Sequence, residues 1–147
     1  MDNRKRHLEK FFNLYADRFN TALKTETADI EATAASFSES FIAANPSGVL
    51  AGGNNEEFRK ALSQGYAFYR SIGVNSMDIT SLKTTLLDDL HEMTKVRWSC
   101  NYTKRDRTTG SVAFENIYFT QTRGNDTRIF AFITGDEQAA LKECGLL

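Results

Sequence analysis

The hydrophobic spacing of this chain changes its period at Gly73, and that switch constrains the fold more than any single residue. Upstream, Leu8, Phe11, Phe12, Tyr15, Phe19, Ala22 and Leu23 recur at steps of three and four, the stripe of an amphipathic helix from near Asn3 to Lys24. A shorter helix is expected from Asp29 to about Phe37, capped by Thr27 or Asp29 and burying Ile30, Ala34 and Phe37. Asn54, with Glu57 three residues on, reads as the cap of a third helix whose inner side carries Phe58, Ala61, Leu62, Gly65, Tyr66, Tyr69 and Ile72. Downstream of Gly73 the period falls towards two. Met77, Ile79 and Ser81 are expected on one face of the first long strand, and Val96, Trp98, Cys100 and Tyr102 on one face of the next. Val112 to Thr122 and Arg128 to Thr134 supply two more strands. Asp136 then caps a short last helix that Gly145 stops.

Helices followed by a meander of long strands imply an α+β fold, with the helices packed on one face of an antiparallel sheet. A chain of 147 residues fits one domain spanning 1–147. A strongly curved sheet closed by helices encloses a cone, whose mouth is a natural ligand cavity. Lys and Arg number 18 against 19 Asp and Glu, a formal charge of -1, which argues against a nucleic-acid partner. Arg105, Arg107, Arg123 and Arg128 are interspersed with Asp106 and Asp126 and read as a solvated rim, and Arg4-Lys5-Arg6-His7 reads as a solvated helix start. No apolar run suits a signal peptide or a membrane span, so the expectation is a cytoplasmic protein without a membrane partner. Cys100 and Cys144 lie far apart in the sequence and suit a reducing compartment, with one disulfide left open.

No cofactor or metal is expected. His7 and His91 are the only histidines; Asp88, Asp89 and Glu92 near His91 could attract a cation, but these residues alternate or lie in a turn and need not converge. His91 with a neighbouring carboxylate is also a chemically competent acid–base pair, expected at a strand end and outside any cone. Neither cysteine has a histidine partner, and the glycines lack the spacing of a phosphate loop.

The segment Ser40 to Gly48, with its Asn45-Pro46-Ser47-Gly48 bend, lies between two helical segments ahead of the strands. With the glycine pair Gly52-Gly53 before the third helix, this order resembles the NTF2-like superfamily, which includes ketosteroid isomerase and SnoaL-type polyketide cyclases. The resemblance implies a cystatin-like cone, a strongly curved antiparallel sheet wrapped around three N-terminal helices with a short C-terminal helix. In the isomerase, a tyrosine on the first helix works with an aspartate before the proline and a protonated aspartate on a late strand. Tyr15 falls at the first position, Asn45 at the second and Asn116 at the third, so both acids are missing and that proton relay is not expected.

What the resemblance leaves is a ligand site in which Tyr15, Asn45 and Asn116 supply polar contacts and Trp98, Phe114 and Tyr118 the walls. It would hold a small apolar or carbonyl-containing ligand, with non-standard isomerase, cyclase or lyase chemistry open. Asn45 could instead close an Asx-turn, and Tyr15 could be a core tyrosine. The alternative function is a non-catalytic interaction protein whose cone is plugged by Phe68, Tyr69, Trp98, Phe114, Phe130 and Phe132. In either case the outer sheet face is expected to pair two copies of the chain as a homodimer.

Overall fold

The computed structural model describes residues 2–25 and 27–147. The chain runs α1 (Asp2–Thr25), α2 (Ile30–Ala34), β1 (Phe37–Asn45), β2 (Gly48–Gly53), α3 (Glu56–Ser71), β3 (Val74–Leu86), β4 (His91–Thr103), β5 (Thr109–Arg123), β6 (Asp126–Ile133) and α4 (Glu137–Glu143). Among the described residues no helix is long and apolar enough to cross a membrane.

Local side chains set the helix starts. Asp29, Asn55 and Asp136 each accept a backbone N–H three residues ahead, from Ala32, Phe58 and Ala139, all at 3.0 Å. The cap of α3 is therefore Asn55, not Asn54. Asn54 has another role: its Nδ2 donates to the carbonyls of Ala34 (2.7 Å) and Phe37 (3.1 Å), tying the end of α2 to the start of α3. The second helix stops three residues short of Phe37 because that ring belongs to the strand. It packs against Phe41, Phe58 and Phe132 with centroids 5.4, 5.0 and 5.9 Å away, a burial that overrides the local helical spacing. At the other end of α3, Gly73 takes a φ of 94°, and a β-carbon there would collide with the Thr103 carbonyl, so only glycine makes this turn into β3.

The six strands form one sheet in the order β2-β1-β6-β5-β4-β3. All neighbours are antiparallel except β1 and β6, which run parallel. Irregular registers in β3, between Ile79 and Ser81, and between β5 and β6, at Phe119 and Thr120, bend the long strands and curve the sheet. The first of these corrects the expected face. Met77 and Ile79 pair with Cys100 and Trp98 on the inner side, but past the bulge Ser81 pairs with Arg97 on the outer side, and Leu82 takes the inward position opposite Val96. The core lies between α1 and the inner face: Leu8, Phe12 and Ala16 pack with Val96, Trp98, Cys100, Phe114, Tyr118 and Ile129.

The basic run at the start of α1 is not uniformly solvated. Lys5 and Arg6 face out, whereas Arg4 reaches the fully buried carboxylate of Glu92 at 2.6 Å and also donates to the Asp89 carbonyl at 2.7 Å. Thr120 and Thr122 donate to the second oxygen of Glu92 at 2.6 and 2.9 Å. Thr122 is in turn 2.8 Å from Thr127, whose hydroxyl meets His7 Nε2 at 2.8 Å. This polar layer closes the end of the cone beneath the first turns of α1. Deleting one partner of a buried pair leaves the other charge uncompensated. Arg4→Ala should accordingly lower the free energy of urea unfolding by about 3 kcal/mol; a loss below about 1 kcal/mol would show that the pair behaves as an exposed one.

Candidate functional site

On α1, Leu8, Phe12 and Ala16 are buried against the sheet and Ala22 and Leu23 are buried near its end, but Tyr15 and Phe19, in its second half, are only half-buried. Between this half of α1, the facing side of α3 and the inner sheet face there remains a cavity of about 200 Å³. Its helical walls are Tyr15 and Phe19 from α1 and Phe58, Leu62 and Tyr69 from α3. The sheet contributes Phe37, Met77, Trp98, Phe114, Asn116, Tyr118 and Phe132, and Thr134 and Glu137 close the side where the chain leaves β6 for α4. Tyr15 is the hub of the rings, with centroids 6.3 Å from Phe37, 6.4 Å from Trp98 and 6.3 Å from Tyr118.

Asn116 and Tyr118 are two apart on β5 and both point inward. Asn116 Nδ2 donates to the Tyr118 hydroxyl at 3.2 Å. The Asn116 carbonyl oxygen and the Trp98 indole nitrogen are both buried without a hydrogen-bond partner. The indole N–H lies near the Tyr118 hydroxyl but makes no well-aligned bond with it. A buried polar atom left unpaired costs about 1–3 kcal/mol, and here one donor and one acceptor are left unpaired on residues that line the cavity. Burial pushes the Tyr118 phenol up to about 12 and the Tyr15 phenol well above its ordinary value, so both remain neutral hydrogen-bonding groups at physiological pH.

One carboxyl faces this apolar space. Glu137 follows the capping residue of α4, and Tyr69 Oη donates to its Oε1 at 2.9 Å. Burial raises the Glu137 carboxyl above the usual carboxylate range, and the bond from Tyr69 only partly opposes that rise. Burial, together with the adjacent carboxylate, pushes the Tyr69 phenol up strongly. Burial also lifts the Cys100 thiol, on the neighbouring wall of β4, to about 11. Reading the sequence as helix starts and strand faces placed Tyr69 in the cone only as a packing ring and missed Glu137. The available signal was the Thr134-Gly135-Asp136-Glu137 junction, where a capping aspartate sets an acid on the first turn of a helix that folds back over the cone.

Of the residues expected at the site, the structure brings Tyr15, Trp98, Phe114, Asn116 and Tyr118 together around the cavity. Asn45 is not among them. It is exposed at the tip of the β1–β2 hairpin, where its Oδ1 accepts the Ser47 N–H at 2.8 Å, so the Asx-turn holds this amide away from the cone. The aromatic plug is also incomplete, since Phe68 is 41% exposed on α3 and Phe130 lines a hollow on the outer sheet face. His91 lies at a strand end, as expected from sequence. Its Nδ1 meets the Asp88 carboxylate at 2.8 Å and its Nε2 is 3.1 Å from Gln121, beside Arg123 and Arg128 in that outer hollow. Asp88 also accepts from the Leu90 and His91 backbone, and Glu92 turns inward to Arg4. Among the described residues no group of three His, Cys, Asp or Glu side chains could hold a metal, and both cysteines are free thiols.

Because the folded state raises the Glu137 carboxyl, the native protein binds that proton more tightly than the unfolded chain. The linked stability is greatest below the unfolded value and is lost as the pH rises through the folded one. Glu137→Gln keeps an acceptor for Tyr69 and removes the titration. The variant should melt with the parent at low pH and above it at pH 8. Thermal melts across that range check this, and a variant less stable than the parent at pH 8 would contradict it.

Residues 4–137 match the family model of an NTF2-like protein, DUF6841. Among solved structures, Aln2 from a Streptomyces species superposes with a TM-score of 0.71 at 14% identity, covering 97% of each chain. An NTF2-like protein with a cystatin-like fold from Novosphingobium aromaticivorans gives 0.69 at 12% identity, over 97% of this chain and 88% of that one. An NTF2-like protein of unknown function from Shewanella oneidensis gives 0.65 at 12% identity, over 90% and 99%. At these identities the likeness establishes the fold. No curated protein matches the chain in sequence.

Proposed function

Since the chain belongs to the NTF2-like family DUF6841, we propose that its cone binds one small, mainly apolar ligand carrying a hydroxyl or carbonyl group. The observation that carries this reading is the pair of unpartnered buried atoms in the cavity wall, Trp98 Nε1 and Asn116 Oδ1. A hydroxyl accepts from the first and donates to the second; a carbonyl accepts from the indole N–H and can also accept a hydrogen bond from the Tyr118 hydroxyl. The aromatic walls supply the rest of the affinity through apolar burial. Any isomerase, cyclase or lyase chemistry in this space has the Glu137 carboxyl to draw on.

Trp98 is the only tryptophan in the chain, so its emission reports on this wall alone. Titration with p-cresol should change that emission saturably. Asn116→Leu should weaken the binding about tenfold, the cost of an unmatched ligand hydroxyl. An emission signal that p-cresol leaves flat in the parent protein would sink the ligand-binding reading in favour of an interaction protein with an idle cone.

The convex face supports a second role, pairing two copies of the chain as a homodimer. Ile42, Val49 and Ile133 lie there on neighbouring strands and are 41%, 69% and 42% exposed, an apolar strip that is costly to leave in water. A twofold partner would present the same strip in return. The free thiols of Cys100 and Cys144 support a reducing, cytoplasmic setting. Ile133→Lys should convert the protein to a monomer by light scattering while leaving p-cresol binding intact. A parent protein that is monomeric at tens of micromolar would overturn the pairing.

A further inference from the structure

We propose that the ligand of the cone is a small organic ammonium, a protonated amine on a single ring, anchored by Glu137. This rests on the ligand-binding reading above and specifies the ligand's charge. Among the described residues, Glu137 is the only charged one lining the cavity. It takes part in no ion pair among the described residues, and its one side-chain hydrogen bond comes from the neutral Tyr69 hydroxyl. Glu137 is half-buried, and a carboxylate partly withdrawn from water is ordinarily matched by a cation. The nearby guanidinium does not serve. Arg18 lies 5.8 Å from the Tyr15 ring centroid, but its Nε and Nη2 are committed to Thr33 and Ser36 at 3.1 and 2.8 Å.

The walls around this carboxyl suit the same kind of guest. Tyr15, Phe19 and Tyr69 come from the two helices that flank it, Phe19 and Tyr69 with centroids 5.6 Å apart, and ring faces attract a desolvated cation. A neutral ligand would leave the carboxylate unmatched or force it to take up a proton. Volume narrows the class further. About 200 Å³ is smaller than the pockets that hold drug-sized molecules, and admits one ring with a short side chain. The unpaired Trp98 N–H and Asn116 carbonyl select a hydroxyl on the same molecule, so the two kinds of contact call for a compact hydroxylated amine.

The test compares tyramine with tyrosol, its uncharged alcohol counterpart, by isothermal titration calorimetry on the full chain and on Glu137→Gln. Both probes carry the phenol that the ligand-binding reading requires, and they differ in the ammonium alone. Tyramine should bind the parent at least about tenfold more tightly, as expected for a desolvated charge-assisted contact. The ratio should collapse to about one in Glu137→Gln, with tyrosol affinity little changed. Asn116→Leu should weaken both probes together and preserve the ratio. If tyrosol binds as well as tyramine, or the preference survives in Glu137→Gln, the amine assignment fails while the cavity reading stands. If neither probe binds the parent, both fall.

Discussion

Everything in this molecule depends on how far α1 fills the curved sheet. Its first turns fill it completely: Leu8 and Phe12 have no exposed surface, and the Arg4–Glu92 pair closes the polar layer beneath them. Farther along, the same helix presents Tyr15 and Phe19, which stay half-buried, and the Trp98 and Tyr118 centroids lie 6.4 and 6.3 Å from Tyr15. The inner face is closely covered beneath Leu8 and Phe12, and a space of about 200 Å³ remains beside Tyr15 and Phe19. The second half of α1, the facing side of α3 and the inner sheet face together bound that space.

The polar groups divide along the same boundary. At the filled end, Glu92 is matched by a guanidinium and two hydroxyls, so its burial is compensated. At the open end, Glu137 has a single neutral donor, and an indole N–H and an amide oxygen have none. Two carboxyls in one cone thus hold opposite positions. One is a finished structural element, and the other belongs to an unfinished set of contacts. A fold that satisfies its interior at one end with such care gives the unsatisfied end functional weight.

Much of this was legible before the structure. The change of period at Gly73, the stripe of α1, the inward face of β4 and the Asp136 cap are local patterns, and local patterns survive folding. The family resemblance also pointed to five side chains that line the cavity. What escaped were features set by distant contacts. The bulge that turns Ser81 outward has no local signature, and Phe37 leaves the helical period to join an aromatic cluster of strand and helix residues. Asn45 shows the limit of transferring a position. The proline bend was real, but with an amide in place of a carboxyl the residue closes its own turn. Arg4 and His7 were a missed opportunity, because they continue the three- and four-residue spacing of Leu8 and Phe11 and so had to share the buried side of α1.

The single parallel ladder has a consequence for how the chain is made. The hairpin of β1 and β2 docks onto β6 and has no other neighbour in the sheet. Asn45 ends β1, while Asp126 begins β6, so the ribosome releases the hairpin long before its docking strand exists. Until then the hairpin's backbone edge has no partner, and Phe37 and Phe41 lack their contacts with Phe132. Such non-local pairing slows folding and exposes a nascent chain to wrong partners. Assembly of the domain is thus completed from its carboxyl end, and a prematurely terminated polypeptide would expose a sticky, unpaired β-ribbon.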